Sequence, residues 1–187
     1  MIEFKKDKKF MEVNKIMMTA VMIFGSVSVA DAADAGHGKL TFSGAIIDSP
    51  CSISPDSVDQ TVELGQVSNV ALAANGNTGT SVPRPFQIRL ENCDITTMKT
   101  VQAIFSGPVS AYDPDSLGIS GTASGASIEM NDGSNNKIRL GVPTTPQPLL
   151  QGYNTLPYTA YLRGGGASAT ITPGEFQSIA GFTLVYP

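Results

Sequence analysis

An all-β fold is predicted by three features of this 187-residue sequence. Glycine and proline recur along it, 19 and 12 times, so turn signals are never far apart. No long segment holds a helical apolar period bounded by caps. Short runs instead alternate apolar and polar residues, the period of a strand with one face buried. Several such strands with turns between them argue a sandwich or a barrel.

Residues 1–32 read as a secretory leader. Lys5, Lys6, Lys8, Lys9 and Lys15 precede an apolar run over 16–30, and Ala30-Asp31-Ala32 is a small-x-small site that favours cleavage after Ala32. The run is shorter than the ~20 apolar residues that span a bilayer, which disfavours a membrane anchor. Met11, Met17 and Met18 are alternative starts. The remaining 33–187 has the length of one domain with a real core.

Of 12 Lys+Arg, five lie in the leader, and of 16 Asp+Glu, four do, so the mature part is mildly acidic. Its cations are scattered rather than clustered, which disfavours a nucleic-acid partner. Cys51 and Cys93 are both in the mature part; an even count behind a leader reads as one disulfide formed in an oxidising compartment. Two thiols with no nearby His or further Cys leave zinc coordination unfilled. Closing this loop would contribute roughly 4 kcal/mol in the chain-entropy model. No cofactor is expected.

Taken in order, the first alternating segment puts Gly38, Leu40, Phe42, Gly44 and Ile46 on one face and Lys39, Thr41, Ser43, Ala45 and Ile47 on the other. Val58, Val62 and Leu64 share a parity. Residues 71–85, with Asn75-Gly76-Asn77 and two prolines, read as loop. Phe86, Ile88 and Leu90 alternate with Gln87, Arg89 and Glu91, the cleanest half-buried strand; Val101, Ala103 and Phe105 follow the same rule. Ile128 and Met130 lead into Asp132-Gly133, a hairpin signal, and Ile138 and Leu140 resume beyond it. Residues 142–157 are Pro-rich and read as loop. Leu156, Tyr158 and Leu162 form another run, and Phe182, Leu184 and Tyr186 close the chain. An N-terminal strand over 38–47 could pair within its own domain. The last run, however, ends beside Pro187 with nothing following to cover its free edge, and an uncovered apolar edge invites another strand.

These residues together resemble the chaperone–usher fimbrial subunits (pilins), of the type 1 fimbrial major-subunit kind, across essentially the whole mature length. Gly38-Lys39-Leu40-Thr41-Phe42-Ser43-Gly44 followed by Cys51 is similar to that family's N-terminal extension and first cysteine. The segment from Val58 to Gly65, and the run from Phe86 into Cys93, match in order. Near the C-terminus Gly174 and the penultimate Tyr186 form the family's chaperone-recognition signature.

The resemblance implies an incomplete immunoglobulin-like β-sandwich that lacks its last strand. It divides the chain into a leader (1–32), a donor-strand extension (33–50) and a pilin domain (51–187). It implies secretion through the periplasm into a fimbria at the cell surface that supports adhesion. The implied partners are a periplasmic chaperone, an outer-membrane usher, neighbouring subunits in a homopolymer and a host receptor met through the fibre. Leu40, Phe42 and Ile46 become the plugs of the donor strand, each adding roughly 1.5–3 kcal/mol on burial. Gly38 and Gly44 would lie where the groove is tight. Phe182, Leu184 and Tyr186 would line the strand that meets the chaperone, with the Pro187 carboxylate paired to its basic residues. Pro187 departs from the more usual polar last residue and supplies no backbone N–H.

Three other readings are weaker. Catalysis by a Ser-His-Asp or Cys-His set needs a positioned His, and His37, the single His, sits in the departing extension. Asp113 and Asp115, flanking Pro114, read as a solvated turn rather than a glycosidase dyad. A tip adhesin would need a receptor-binding domain for which residues 33–50 leave no room. A minor or adaptor subunit binding receptor through the 71–85 and 142–157 loops is the alternative within the family. A membrane barrel calls for aromatic girdles, and the chain has no Trp and 5 Tyr.

Overall fold

The computed structural model describes residues 38–47 and 49–187. The leader, its cleavage site and His37 lie outside the described residues. Residues up to Ala45 and those of Ile46–Pro187 fall into separate units and are described separately.

Within Ile46–Pro187 the alternating runs become two sheets. One is five-stranded: β1 (Ser52–Ile53), β2 (Arg84–Cys93), β8 (Gly152–Gly164), β6 (Ala126–Asp132) and β4 (Leu117–Gly118), hydrogen-bonded in that order. The other is three-stranded: β10 (Gly181–Val185), β3 (Thr100–Ser106) and β7 (Gln147–Pro148). A separate two-stranded ribbon pairs β5 (Ser120–Gly121) with β9 (Phe176–Gln177). Every ladder is antiparallel. The period-2 pattern is obeyed where it was clearest: Ile88 and Leu90 on β2, Val101, Ala103 and Phe105 on β3, and Leu156, Tyr158 and Leu162 on β8 are all buried. Between the sheets Tyr158 stacks on Phe86 with centroids 5.4 Å apart and meets Phe105 edge-on at 5.2 Å, the two geometries that ring quadrupoles favour.

Cys51 and Cys93 are bonded, joining the residue before β1 to the last residue of β2. Ser52 pairs with Glu91, so the two chain segments already lie side by side there. A register shift between Leu90 and Cys93 contains Asn92 at φ 54°. Asn tolerates that left-handed conformation, and the extra residue bends the strand end toward the bridge.

Several local expectations need correction. Val58 does not share a strand with Val62 and Leu64: it ends a one-turn helix, α1 (Pro55–Val58), and is exposed. Proline at the first turn of that helix is pre-set for it. Residues 71–85 are not all loop, because a kinked helix, α2 (Asn69–Asn77), occupies part of them and β2 already starts at Arg84. The kink falls where the turn chemistry was visible: Asn75, Gly76 and Asn77 all have positive φ. Pro85 is tolerated inside β2 because β1 covers only the Leu90–Glu91 end, leaving Pro85 paired on one side, with Thr159.

Residues 142–157 likewise contain β7 and the start of β8. Pro157 pairs with Gln87 in β2, while the β6 ladder stops at Tyr158, so Pro157 stands beyond its last rung. The Asp132-Gly133 turn forms, with Asn136 N–H and Ser134 N–H donating to Asp132 Oδ1, both at 2.9 Å. The expected second strand of that hairpin shrinks to one bridge, Asn131 with Lys137, after which Ile138 N–H still donates to Met130 O at 2.8 Å while its side chain is buried in the core.

Candidate functional site

β10 pairs with β3 along one edge, Phe182 facing Phe105 and Leu184 facing Ala103. Among the described residues, no strand pairs with its other edge. Residues 60–67 form a ribbon outside any ladder, turned at Gly65 (φ 74°), in which Leu64 is buried and Val62 and Val67 half-buried. Their backbone makes no hydrogen bond among the described residues; the ribbon is held at its root, where Gln60 Nε2 donates to Gln87 O at 3.2 Å. The unpaired edge of β10 and the 60–67 segment border a groove of about 1310 Å³. One wall is 57–69 and the other 171–182, while Ile88, Phe105, Ile128, Met130 and Leu162 form its floor. An apolar interior with unpaired backbone on its rims is a slot for an extended chain. A smaller cavity of about 750 Å³ shares Val62, Glu63 and Phe86 with it and is bordered on its other side by Arg84 and Asp132.

The 171–182 wall is positioned by backbone. Glu175 O accepts from the Thr122 and Ala123 N–H groups at 2.9 and 3.0 Å, and Glu175 N–H donates to Thr122 Oγ1 at 3.0 Å. Gly174 is pressed into this junction: a Cβ there would lie 2.5 Å from Thr122 Oγ1 and 2.6 Å from Ala123 N. The absence of a side chain therefore has a local packing cause. Phe182, Leu184 and Tyr186 are half-buried against the core, with the Phe182 ring centroid 6.4 Å from that of Phe105. Pro187 is exposed, and its carbonyl accepts from Thr100 Oγ1 at 3.4 Å.

Residues 38–47 form neither helix nor strand. Leu40, Phe42 and Ile46 are exposed, Phe42 at 90%. Among the described residues, no atom outside the chain neighbours comes within 4 Å of a Cβ built on Gly38 or Gly44. The wall residues Ile119, Ile171 and Phe176, which also line the groove, were not singled out by the sequence. They lie in segments too short or too broken to show a period.

A model of fimbrial proteins matches residues 40–187. The chain belongs to the fimbrial protein family. This pilin is 58% identical over 176 residues to the Fimbria A protein of Serratia marcescens, across 94% of its own length and 99% of that protein. It is 43% identical to the major MR/P fimbria protein of Proteus mirabilis, with 94% and 99% covered. Among solved structures, a subunit from a chaperone–usher pilus whose study concerns rod uncoiling superposes with a TM-score of 0.71 at 35% identity, covering 82% of this chain and 97% of that one. The P pilus rod subunit PapA superposes with a TM-score of 0.66 at 33% identity, covering 74% and 100%. The fold is thus the incomplete immunoglobulin-like sandwich of chaperone–usher pilins, and the pilin is a structural subunit of an extracellular pilus that polymerises with its neighbours. The family is structural, not enzymatic.

Proposed function

We propose that this pilin polymerises by donor-strand exchange, residues 38–46 of one copy entering the groove of the next after a periplasmic chaperone has held that groove and an outer-membrane usher has received the complex. The observation that carries this reading is an apolar floor bordered by the unpaired edge of β10 and by the unbonded 60–67 backbone, in a chain that also holds an exposed alternating segment. Leu40, Phe42 and Ile46 supply plugs at the period-2 spacing that a groove between strands accepts. A one-residue slip would turn each plug outward, so register is set by the side chains. Gly38 and Gly44 share the plug face and let the backbone approach closely. Before exchange, a chaperone strand fills the same slot along Phe182, Leu184 and Tyr186, with the Pro187 carboxylate and Gly174 at the ends of its contact. The fibre then carries the subunit to a host surface. A minor or adaptor role with receptor-binding side loops is disfavoured, because the relatives are major and rod subunits.

Two constructions test this. Copying residues 38–47 after Pro187 through a short linker should yield a stable soluble monomer without any chaperone, while the unaltered chain should aggregate or be degraded. Phe42→Asp in the unaltered chain should leave the chaperone complex intact and abolish the detergent-resistant ladder of polymers. A normal ladder from Phe42→Asp would overturn the assignment.

A further inference from the structure

The end of the domain that carries the disulfide holds an exposed apolar surface that the groove does not use. Tyr153 is 77% exposed, and Leu150 is also exposed beside it. The loop presenting them is unusually well fixed. Asn154 Oδ1 accepts from Leu150 N–H at 2.8 Å, and Asn154 Nδ2 donates to Leu150 O at 2.7 Å. Ile95 N–H donates to Gln151 Oε1 at 3.3 Å, and Leu149 N–H to Lys99 O at 2.9 Å, tying this loop to the 94–99 loop. Holding an exposed leucine and tyrosine in one arrangement makes sense for binding, since a surface ordered in advance loses little entropy on docking. Tyrosine is also a residue type enriched in the energetic centre of interfaces.

The chain's own connectivity says what meets this surface. Asp94 N–H donates to Pro50 O at 2.8 Å, so the extension departs from this same end. Ile46 and Cys51 are five positions apart, and extended chain between them reaches at most about 18 Å. A copy whose groove holds Ile46 must therefore lie directly against the donor's disulfide end. The end it offers follows from strand sense. β10 runs toward its own disulfide end, where Pro187 O meets Thr100. A donor added antiparallel, like every ladder in the domain, runs the other way and leaves at the far end. There Gly107 packs against Ile179 O, and Val109 bridges to Leu117. Ile179, at the end of the groove wall, is 80% exposed, and Val109, outside the groove, is exposed too.

We propose that Leu150 and Tyr153 of each copy seat on the Val109 and Ile179 end of the copy that takes its extension, a second interface that fixes the angle between successive subunits. This rests on the donor-strand reading and adds a body-to-body contact to it. Heterologous contacts of this kind propagate into a fibre when the rotation between copies does not close a ring.

Hydrogen exchange on the wild-type polymer against the self-complemented monomer tests it directly. Both have a filled groove, and residues 149–153 lie outside it, so strand insertion alone leaves those amides equal in the two. The proposal expects exchange over 149–153 to slow by roughly tenfold or more in the polymer; equal rates overturn it. A second arm pairs Tyr153→Cys with Ile179→Cys. Interchain disulfides between successive copies are expected, and an assembled fibre without them overturns the contact. If instead no polymer forms from the wild-type chain, or Phe42→Asp polymerises normally, it is the donor-strand reading that fails.

Discussion

Glu129 is a nearly buried carboxylate on β6, and its three partners converge from β8 and from the segment after the Asp132 turn. Tyr161 donates to it at 2.8 Å, Lys137 at 3.2 Å, and Arg163 Nη1 stands 3.4 Å away. Lys137 also pairs with Asp113, whose carboxylate accepts from Ser116 Oγ at 2.7 Å and from Asp115 N–H at 3.1 Å. The network pins the 113–116 turn onto the outer face of β6. Burial alone would raise the Asp113 pKa, but the hydrogen bonds from Lys137, Ser116 and Asp115 outweigh it and hold the carboxyl at about 2, against an ordinary 3.8. The folded state then binds fewer protons than the unfolded one between those values. Its contribution is present above pH 3.8 and is lost as pH falls through about 2. Burial works against charge on Lys137 too, yet its bonds to Asp113 and Glu129 raise its pKa, so its share persists until alkaline pH. Asp113→Asn in the self-complemented chain should cost on the order of 1–2 kcal/mol at pH 7 and little at pH 2. Urea midpoints at the two pH values measure this; an equal loss at both would rule out the charge as the cause.

At the scale of elements, the groove depends on a wall with no long strand of its own. Residues 171–177 are held by the β5–β9 ribbon and by the Thr122–Glu175 junction, and Gly174 sits where a methyl group has no space. Gly174→Ala should therefore cost roughly 1–3 kcal/mol by overpacking. It should also shift this wall, so that exchange of a 38–47 peptide into the groove slows. The measurement is peptide-exchange rate on the chaperone-held subunit beside the melting temperature of the self-complemented chain. A variant as stable as the parent would argue that Gly174 serves chaperone contact alone.

The strands that bracket the core were legible in the sequence because one face of each is buried: Ile88 and Leu90, or Val101 and Phe105, have no other reason to alternate. α2 was not, since Val70, Ala71, Leu72, Ala73 and Ala74 give a continuous small apolar run in which only Leu72 is buried. Pro157 pointed to loop because the rule against proline in central strands cannot know where the neighbouring strand stops. The Glu129 network joins pairs 8, 24, 32 and 34 positions apart, and no local period marks such pairs. Phe182 and the plug residues stood out by alternation but took their roles, as Gly174 did altogether, from the order of family features; the groove itself is a missing partner, which leaves no residue to read.

For the molecule as a whole, the disulfide separates what leaves from what stays. On the donor-strand reading the residues up to Ile46 enter another copy, whereas Pro50 is hydrogen-bonded to Asp94 and Cys51 is tied by the disulfide to the end of β2, which keeps β1 and the 60–67 rim in the parent domain. The bond closes a loop across 42 positions, which in the chain-entropy model stabilises by roughly 4 kcal/mol. A subunit lacking a core strand has little stability to spare, since complete domains are stable by only about 5–15 kcal/mol. Cys51→Ser with Cys93→Ser should thus leave the self-complemented chain folded, its urea-derived stability lowered by about 2–5 kcal/mol. In the unaltered chain the same pair should remove nearly all chaperone-bound subunit, and hence polymer, because the open-groove state falls below what folding tolerates. Undiminished polymer from the double variant would mean that the chaperone strand alone stabilises the domain and that the disulfide is dispensable to assembly.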